Sequence, residues 1–249
     1  MPLLRLLYTL TMYLMTPVIL YRLAARGLRY RRYLSRWRER FGFFQAPEMH
    51  DSSWVHAVSV GEVNAAVPLI EALMLKYPDA PMVVTTVTPT GSERVQKLFG
   101  DRVFHVYLPY DLPASVKRFL NRIRPRFAVI METEIWPNLF ITCRERGIPI
   151  VVTNARLSER SLKGYGPVRP LARRAIRCAN FVAAQSPLDA ERLRTLGAAV
   201  TRLAVIGNLK FDMPVPASLV ANGTALRDSW GTRRPVWIDR KSTRLNSSH

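Results

Sequence analysis

A chain of 249 residues is long enough for one large domain or two small ones, and 48% apolar residues supply a sizeable core. Lys and Arg number 37 against 18 Asp and Glu, a formal charge of +19, which points to phosphate-rich partners: nucleic acid, an anionic membrane face or a phosphorylated substrate. The two cysteines, Cys143 and Cys178, lie far in sequence from any histidine, which excludes a disulfide scaffold and a zinc pattern and fits a reducing compartment.

The chain opens with an apolar run. Leu6 to Tyr21 is sixteen residues without a charge, short for a spanning helix, which needs ~20. A membrane-embedded anchor lying partly in the bilayer is one reading. A buried first helix with a solvated basic face is the other. An Arg-rich stretch from Arg22 to Arg40 follows directly, as juxtamembrane segments do, and no small-residue cleavage site separates the two. Arg40-Phe41-Gly42-Phe43 ends the basic helix and leads into a Pro-containing loop, Gln45 to Ser53.

From there apolar, strand-like runs recur at Trp54–Ser59, Met82–Val87, Val103–Tyr107, Phe127–Met131, Ile148–Thr153, Phe181–Ala184 and Leu203–Ile206. Helical patterns lie between most of them, at Glu62–Lys76, Ser92–Leu98, Ala114–Ile123, Pro137–Arg146, Pro167–Arg177 and Pro187–Leu196. Strand–helix alternation with short connections predicts a parallel sheet wound on both faces. Continuous apolar strands fit burial on both sides. The fold class is therefore α/β, Rossmann-like and doubly wound. Pro214-Val215-Pro216 reads as a linker, Leu219 to Trp230 as a helix, and Arg234 to Ile238 as the start of another strand. Asp239 to His249 has no apolar period and reads as a non-native tail. The organisation expected is an anchor and juxtamembrane segment over 1–45 and a Rossmann-like domain over 46–212. Residues 213–238 are expected as a linker and the start of a truncated further domain, and 239–249 as the tail.

Chemistry is expected where the strands end, because ligands of open α/β sheets bind outside the carboxyl ends of the strands. The first such end is Ser59-Val60-Gly61-Glu62. A glycine there allows a sharp bend or the close approach of a ligand. Glu62 in the first turn of a helix is either a charge favoured by the helix dipole or a general base. The second end runs from Thr88 through Thr90 and Gly91 to Ser92, and suits an anion at a helix start or N-capping by Thr90 or Ser92. The third is Met131-Glu132-Thr133-Glu134-Ile135-Trp136-Pro137. The fourth, Gly207 to Asp212, delivers Lys210, and Arg156 adds a cation after its own strand. His56 and His105 lie inside apolar strands as core residues, and no histidine spacing supports a metal. A carboxylate base, a second carboxylate, a lysine and hydroxyl and amide donors together suit activation of a hydroxyl nucleophile.

Six segments carry a family resemblance: Val58–Glu62, Thr88–Val95, Tyr107–Asp111, Met131–Asn138, Asn154–Ser158 and Gly207–Asp212. Together, in this order, they resemble the 3-deoxy-D-manno-octulosonic acid (Kdo) transferases of Gram-negative bacteria, from the apolar N-terminus to about Ile238. The resemblance implies the N-terminal, acceptor-side half of a two-domain GT-B glycosyltransferase. It implies inverting, metal-independent transfer of Kdo from CMP-Kdo to lipid IVA, in lipopolysaccharide biosynthesis at the cytoplasmic face of the inner membrane. Glu62 matches the general base, and Glu132 and Lys210 match positions that stabilise the transition state. Ser59, Gly61, Thr88, Thr90, Gly91, Ser92 and Arg156 are the expected substrate-binding residues. No cofactor is implied: CMP-Kdo is a donor substrate, bound only with a C-terminal domain whose motifs this chain lacks. The implied partners are lipid IVA and anionic inner-membrane lipid, with no nucleic acid. The competing reading is a membrane-surface, lipid-binding module without catalysis of its own.

Overall fold

The computed structural model describes residues 2–212, 217–231 and 235–236. The chain divides into two units, residues 1–213 and 214–249. The first unit opens with helix α1 (Pro2–Arg29) and two short 3₁₀ turns (Arg31–Tyr33 and Trp37–Phe41). It continues β1 (Ser52–His56), α2 (Val60–Lys76), β2 (Met82–Thr86), α3 (Pro89–Phe99), β3 (Phe104–Tyr107), α4 (Pro113–Ile123), β4 (Pro125–Met131) and α5 (Pro137–Glu145). It ends with β5 (Ile150–Ala155), α6 (Glu159–Gly164), α7 (Arg169–Ile176), β6 (Phe181–Ala184), α8 (Pro187–Leu196), β7 (Leu203–Val205) and a 3₁₀ turn at Leu209–Phe211. In the second unit, α9 (Ala217–Ser229) forms where Leu219–Trp230 was expected.

The strands form one seven-stranded sheet in the order β3-β2-β1-β4-β5-β6-β7, and every neighbouring pair is parallel. The doubly wound expectation holds. Side chains alternate across the pleat, so each strand feeds two cores. Trp54 and Ile130 face one core with Phe119, Phe140 and Ile176. Val55, Val129 and Met131 face the other with Val63, Ile70 and Val95. Trp54 is fully buried, stacks edge-on against Phe119 at 5.1 Å between ring centroids, and donates its indole N–H to Thr85 Oγ1 at 2.9 Å. The strand order reverses between β1 and β4, both of which begin from the centre of the sheet. That switch point is where the first and third polar strand ends meet.

Several local expectations change. The basic segment is not one continuous helix. Tyr30 is extended and Arg36 is left-handed (φ 58°), so the segment folds into two separate turns. Leu34 folds back onto Gly27, where any Cβ would lie 2.2 Å from the Leu34 Cγ atom. The reading of α1 as a buried helix fails: Leu14, Tyr21 and Leu28 are 74%, 73% and 87% exposed. Helix α6 lies in a segment with no expected element, because its six residues are too few for a period and its main cue is the Ser158 cap on Ser161 N–H. Helix α7 starts at Arg169 rather than Pro167, after a 3₁₀ turn over Gly166–Val168. The linker prolines Pro214–Pro216 and the tail from Asp239 to His249 lie outside the described residues, as does most of the strand expected from Arg234 to Ile238.

Candidate active site

The site is built from the ends of β1, β4 and β5 and from the turn after β7. Strand β1 stops at His56, and Ser59, in extended conformation, starts α2. Glu62 is three residues into the turn and only 8% exposed. Its Oε2 accepts the Val58 N–H at 2.9 Å and its Oε1 accepts the Ser59 hydroxyl at 2.9 Å. This is close to a capping box, with the carboxylate reaching back over the helix start. Burial raises the Glu62 carboxyl above its ordinary range, the Val58 and Ser59 donors oppose that, and the charge of Glu132 adds to it. Gly61 does not take a left-handed conformation. A Cβ there would meet only Ser59 Oγ, at 3.9 Å, so the glycine leaves open space beside Glu62. The glycine is therefore not required for a sharp bend, and what it provides is space.

Beyond β4 the chain reverses at Glu132, which holds a left-handed φ of 55°. Few non-glycine residues do so, and such positions gather at functional sites. Its N–H is bonded to the Thr153 carbonyl, and the Thr133 hydroxyl donates to the carbonyl of Arg156 and accepts its N–H at 3.1 Å. The loops after β4 and β5 are thereby stitched together. Glu134 follows in the same loop. Burial, then the charge of Glu62 and that of Glu132, pushes its carboxyl up to about 7. Three carboxylates thus share one mouth.

Lys210 enters from the turn after β7. Its Nζ lies 3.8 Å from Glu132 Oε1. With both side chains about a third or more exposed, at 44% and 32%, such a pair contributes ~0–1 kcal/mol, so the lysine is held loosely and can turn to a ligand. The turn itself is fixed more firmly. Asn154, fully buried with φ 53°, accepts the Leu209 N–H at 3.1 Å, and Asn208 accepts the Lys210 N–H at 3.0 Å.

Glu62, Glu132 and Lys210 therefore come together, with Ser59 and Gly61 on the same rim and the Arg156 backbone at its β5 side. The second strand end is arranged differently. Thr88, rather than Thr90 or Ser92, caps α3 by accepting the Gly91 N–H at 3.1 Å, and its hydroxyl also donates to the Val58 carbonyl. The Ser92 N–H is bonded to the Thr88 carbonyl. Two amides that an anion would use already have partners. A Cβ on Gly91 would lie 3.2 Å from the Val58 carbonyl, so its smallness packs α3 onto the β1 end. Thr90 is exposed beside Thr88, while Ser92 turns towards Arg36 and His105. His56 and His105 bond to Thr85 and Thr86 within the sheet, and burial lowers them to about 4 and about 3, so both are neutral.

Two contributors went unselected from sequence. Glu134 stands two residues from Glu132, and the spacing alone does not say which of the pair faces the mouth. Asn154 directly follows the Ile148–Thr153 run, near the end of β5, and its left-handed backbone has no sequence signal beyond the tolerance of asparagine for that region.

The model of the 3-deoxy-D-manno-octulosonic-acid transferase (kdotransferase) family matches residues 35–213. The chain belongs to the Kdo transferase family. A 3-deoxy-D-manno-octulosonic acid transferase of Haemophilus influenzae is 40% identical over 236 residues, 94% of this chain and 55% of that protein. One from Bordetella pertussis is 38% identical over 188 residues, 74% of this chain and 42% of that protein. The chain spans about half the length of the relatives it matches. Among solved structures, the UDP-GlcNAc 2-epimerase of Neisseria meningitidis superposes with a TM-score of 0.50 at 14% identity, covering 76% of this chain and 55% of that one. That likeness speaks for the fold. The family match includes every element of the mouth, from β1 to the Lys210 turn.

Proposed function

We propose that residues 46–212 are the acceptor-side domain of a metal-independent, inverting Kdo transferase, with Glu62 as general base. In this reading the donor is CMP-Kdo, held with a nucleotide-binding domain of the kind the relatives' greater length allows. The acceptor is lipid IVA, met at the cytoplasmic face of the inner membrane. Glu62 takes the proton from an acceptor hydroxyl. The oxygen so freed attacks the anomeric carbon of Kdo from the face opposite CMP, and the bond from that carbon to the phosphate oxygen breaks as CMP leaves. Lys210 offsets negative charge on the Kdo carboxylate or on the departing phosphate. Glu132 keeps the lysine over the mouth until a ligand replaces it.

The observation that carries the reading is the setting of Glu62. A nearly buried carboxylate at the switch point is fixed on both oxygens, yet its neighbour Gly61 leaves the approach open. Its raised affinity for a proton suits a base. The helix-start reading and the base reading are compatible, since the helix dipole favours the ionised form that accepts the proton. The +19 charge fits an acceptor bearing phosphates on an anionic surface.

The test is transfer of Kdo from CMP-Kdo to lipid IVA by an enzyme carrying this domain with Glu62→Gln. Turnover should fall by roughly 10²–10⁴-fold with acceptor binding retained; near-normal turnover would exclude Glu62 as the base. The competing reading, a lipid-binding module, draws on the apolar face of α1. Binding of lipid IVA that no variant of the two-domain enzyme converts to product would favour it.

A further inference from the structure

Helix α1 is apolar and long enough to cross a membrane: Leu3–Leu28 has a mean hydropathy of 1.6. Its surroundings argue against crossing. The less exposed residues of α1 form a single stripe at helical spacing, Tyr8, Met12, Thr16, Ile19, Leu23 and Gly27. That stripe runs the length of the helix, so α1 lies flat with one side turned inward. Its N-terminal end is clipped to α5. Arg5 Nε donates to Asn138 Oδ1 at 3.1 Å and the Arg5 guanidinium pairs with Glu145. The Tyr8 hydroxyl donates to Asp111 Oδ2 at 3.0 Å. The segment after its C-terminal end is held to the same domain. Gly27 packs on Leu34, and the turns that follow place Arg36 on the His105 carbonyl and Arg40 on the Val87 carbonyl.

A spanning helix puts its two ends on opposite sides of ~30 Å of hydrocarbon. Here the N-terminal end of a ~42 Å helix and the turns directly after its C-terminal end are bonded to one charged α/β domain, which cannot follow either end into the bilayer. The face opposite the stripe is apolar from end to end: Leu7, Leu10, Leu14, Val18, Tyr21 and Leu28 are all exposed. Arg22 stands exposed on the helix, and Arg31 and Arg38 stand exposed in the turns that follow it. An apolar ridge flanked by cations matches an anionic bilayer surface, where each cation contributes about 1 kcal/mol.

We infer that α1 is an in-plane anchor. It sinks its Leu7–Leu28 face into one leaflet of an anionic membrane while its other side stays clipped to α5, and it does not cross. The inference rests on the membrane reading above and adds its geometry.

The test uses the full chain in inside-out membrane vesicles from an expressing bacterium, with Cys178→Ser removing the half-buried thiol and Cys143 left buried. A membrane-impermeant maleimide is added to Leu4→Cys, on the flank at the clipped end, and to Leu14→Cys, at the centre of the apolar face. Flotation of the chain with the vesicles, labelling of Leu4→Cys in sealed vesicles and shielding of Leu14→Cys until the lipid is dissolved would support the in-plane anchor. Labelling of Leu4→Cys only after a pore-former opens the vesicles, or not at all, would overturn it in favour of a spanning or deeply inserted helix while leaving membrane association intact. Failure to float, or equal labelling of Leu14→Cys with and without lipid, would overturn the membrane reading itself.

Discussion

One carboxylate, Asp111, and a group of three, Glu62, Glu132 and Glu134, have opposite surroundings in this fold. Asp111, 1% exposed, has its oxygens filled: it accepts the Asn138 and Leu139 N–H groups, both at 2.8 Å, and the Tyr8 hydroxyl at 3.0 Å. It caps α5 from a distant loop, because Trp136 at the helix start offers no side-chain cap. Glu62, Glu132 and Glu134 instead crowd one mouth, where burial and neighbouring carboxylates raise the proton affinity of Glu62 and Glu134, and they face open space or a loosely held lysine. A buried carboxylate whose acceptor sites are all used is holding structure together. One whose neighbours repel it and whose approach is clear is placed for chemistry. Carboxylates thus separate into two roles by what surrounds them, donors alone or like charges beside open space, and not by burial.

The largest expected break in that comparison is Glu62→Gln. The barrier to transfer should rise by about 3–5 kcal/mol, the equivalent of 10²–10⁴ in rate, with the melting temperature nearly unchanged, since Gln still accepts the Val58 N–H. A large loss of stability would place Glu62 with Asp111 instead. Asp111→Ala should do the reverse. Leaving two α5 amides and the Tyr8 hydroxyl without their acceptor should cost about 2–4 kcal/mol, read as a lower Tm at roughly 2–4 °C per kcal/mol for this size. Activity per folded molecule should hold.

The pH dependence sharpens the same contrast. Burial outweighs the donors on Asp111 and lifts it to about 6 from 3.8. The folded state therefore binds that proton more tightly than the unfolded chain. Asp111 favours folding most below 3.8, and that contribution declines as pH rises through about 6. The stability gap between the parent chain and Asp111→Ala should narrow from pH 4 to pH 7 in denaturant melts. A widening gap would mean that the donors dominate.

Glu132→Gln should act on rate alone. Removing a charge that raises Glu62 moves the acid limb of kcat/KM to lower pH, and an unmoved limb would separate the two carboxylates. The smallest effect belongs to Arg5→Gln. The Arg5–Glu145 pair is partly exposed, at 23% and 55%, so its loss should cost under about 1 kcal/mol, measured by thermal melts.

Much of this architecture is written in local pattern. Runs such as Val83-Val84 and Val151-Val152 can be satisfied only by a strand covered on both faces, and Pro113, Pro137 and Pro187 mark helix starts where their missing N–H is harmless. Glu62, Glu132 and Lys210 were legible as strand-end residues because the parallel topology sends every such end to one edge. What stayed hidden depends on partners far along the chain. The Asp111 cap reaches 27 residues to Asn138. The breaks at Tyr30 and Arg36 follow from Leu34 meeting Gly27, which no propensity of the Arg-rich segment announces. The anion-site cue at Thr88–Ser92 was ambiguous for the same reason, since capping and anion binding use the same amides.

The base assignment stands or falls most directly on the pH–rate profile of Kdo transfer by the two-domain enzyme. The parent should lose kcat/KM as pH falls through a value above the ordinary carboxylate range, and Glu62→Gln should be slow and flat across that limb. The same acid limb in both proteins would contradict Glu62 as the base.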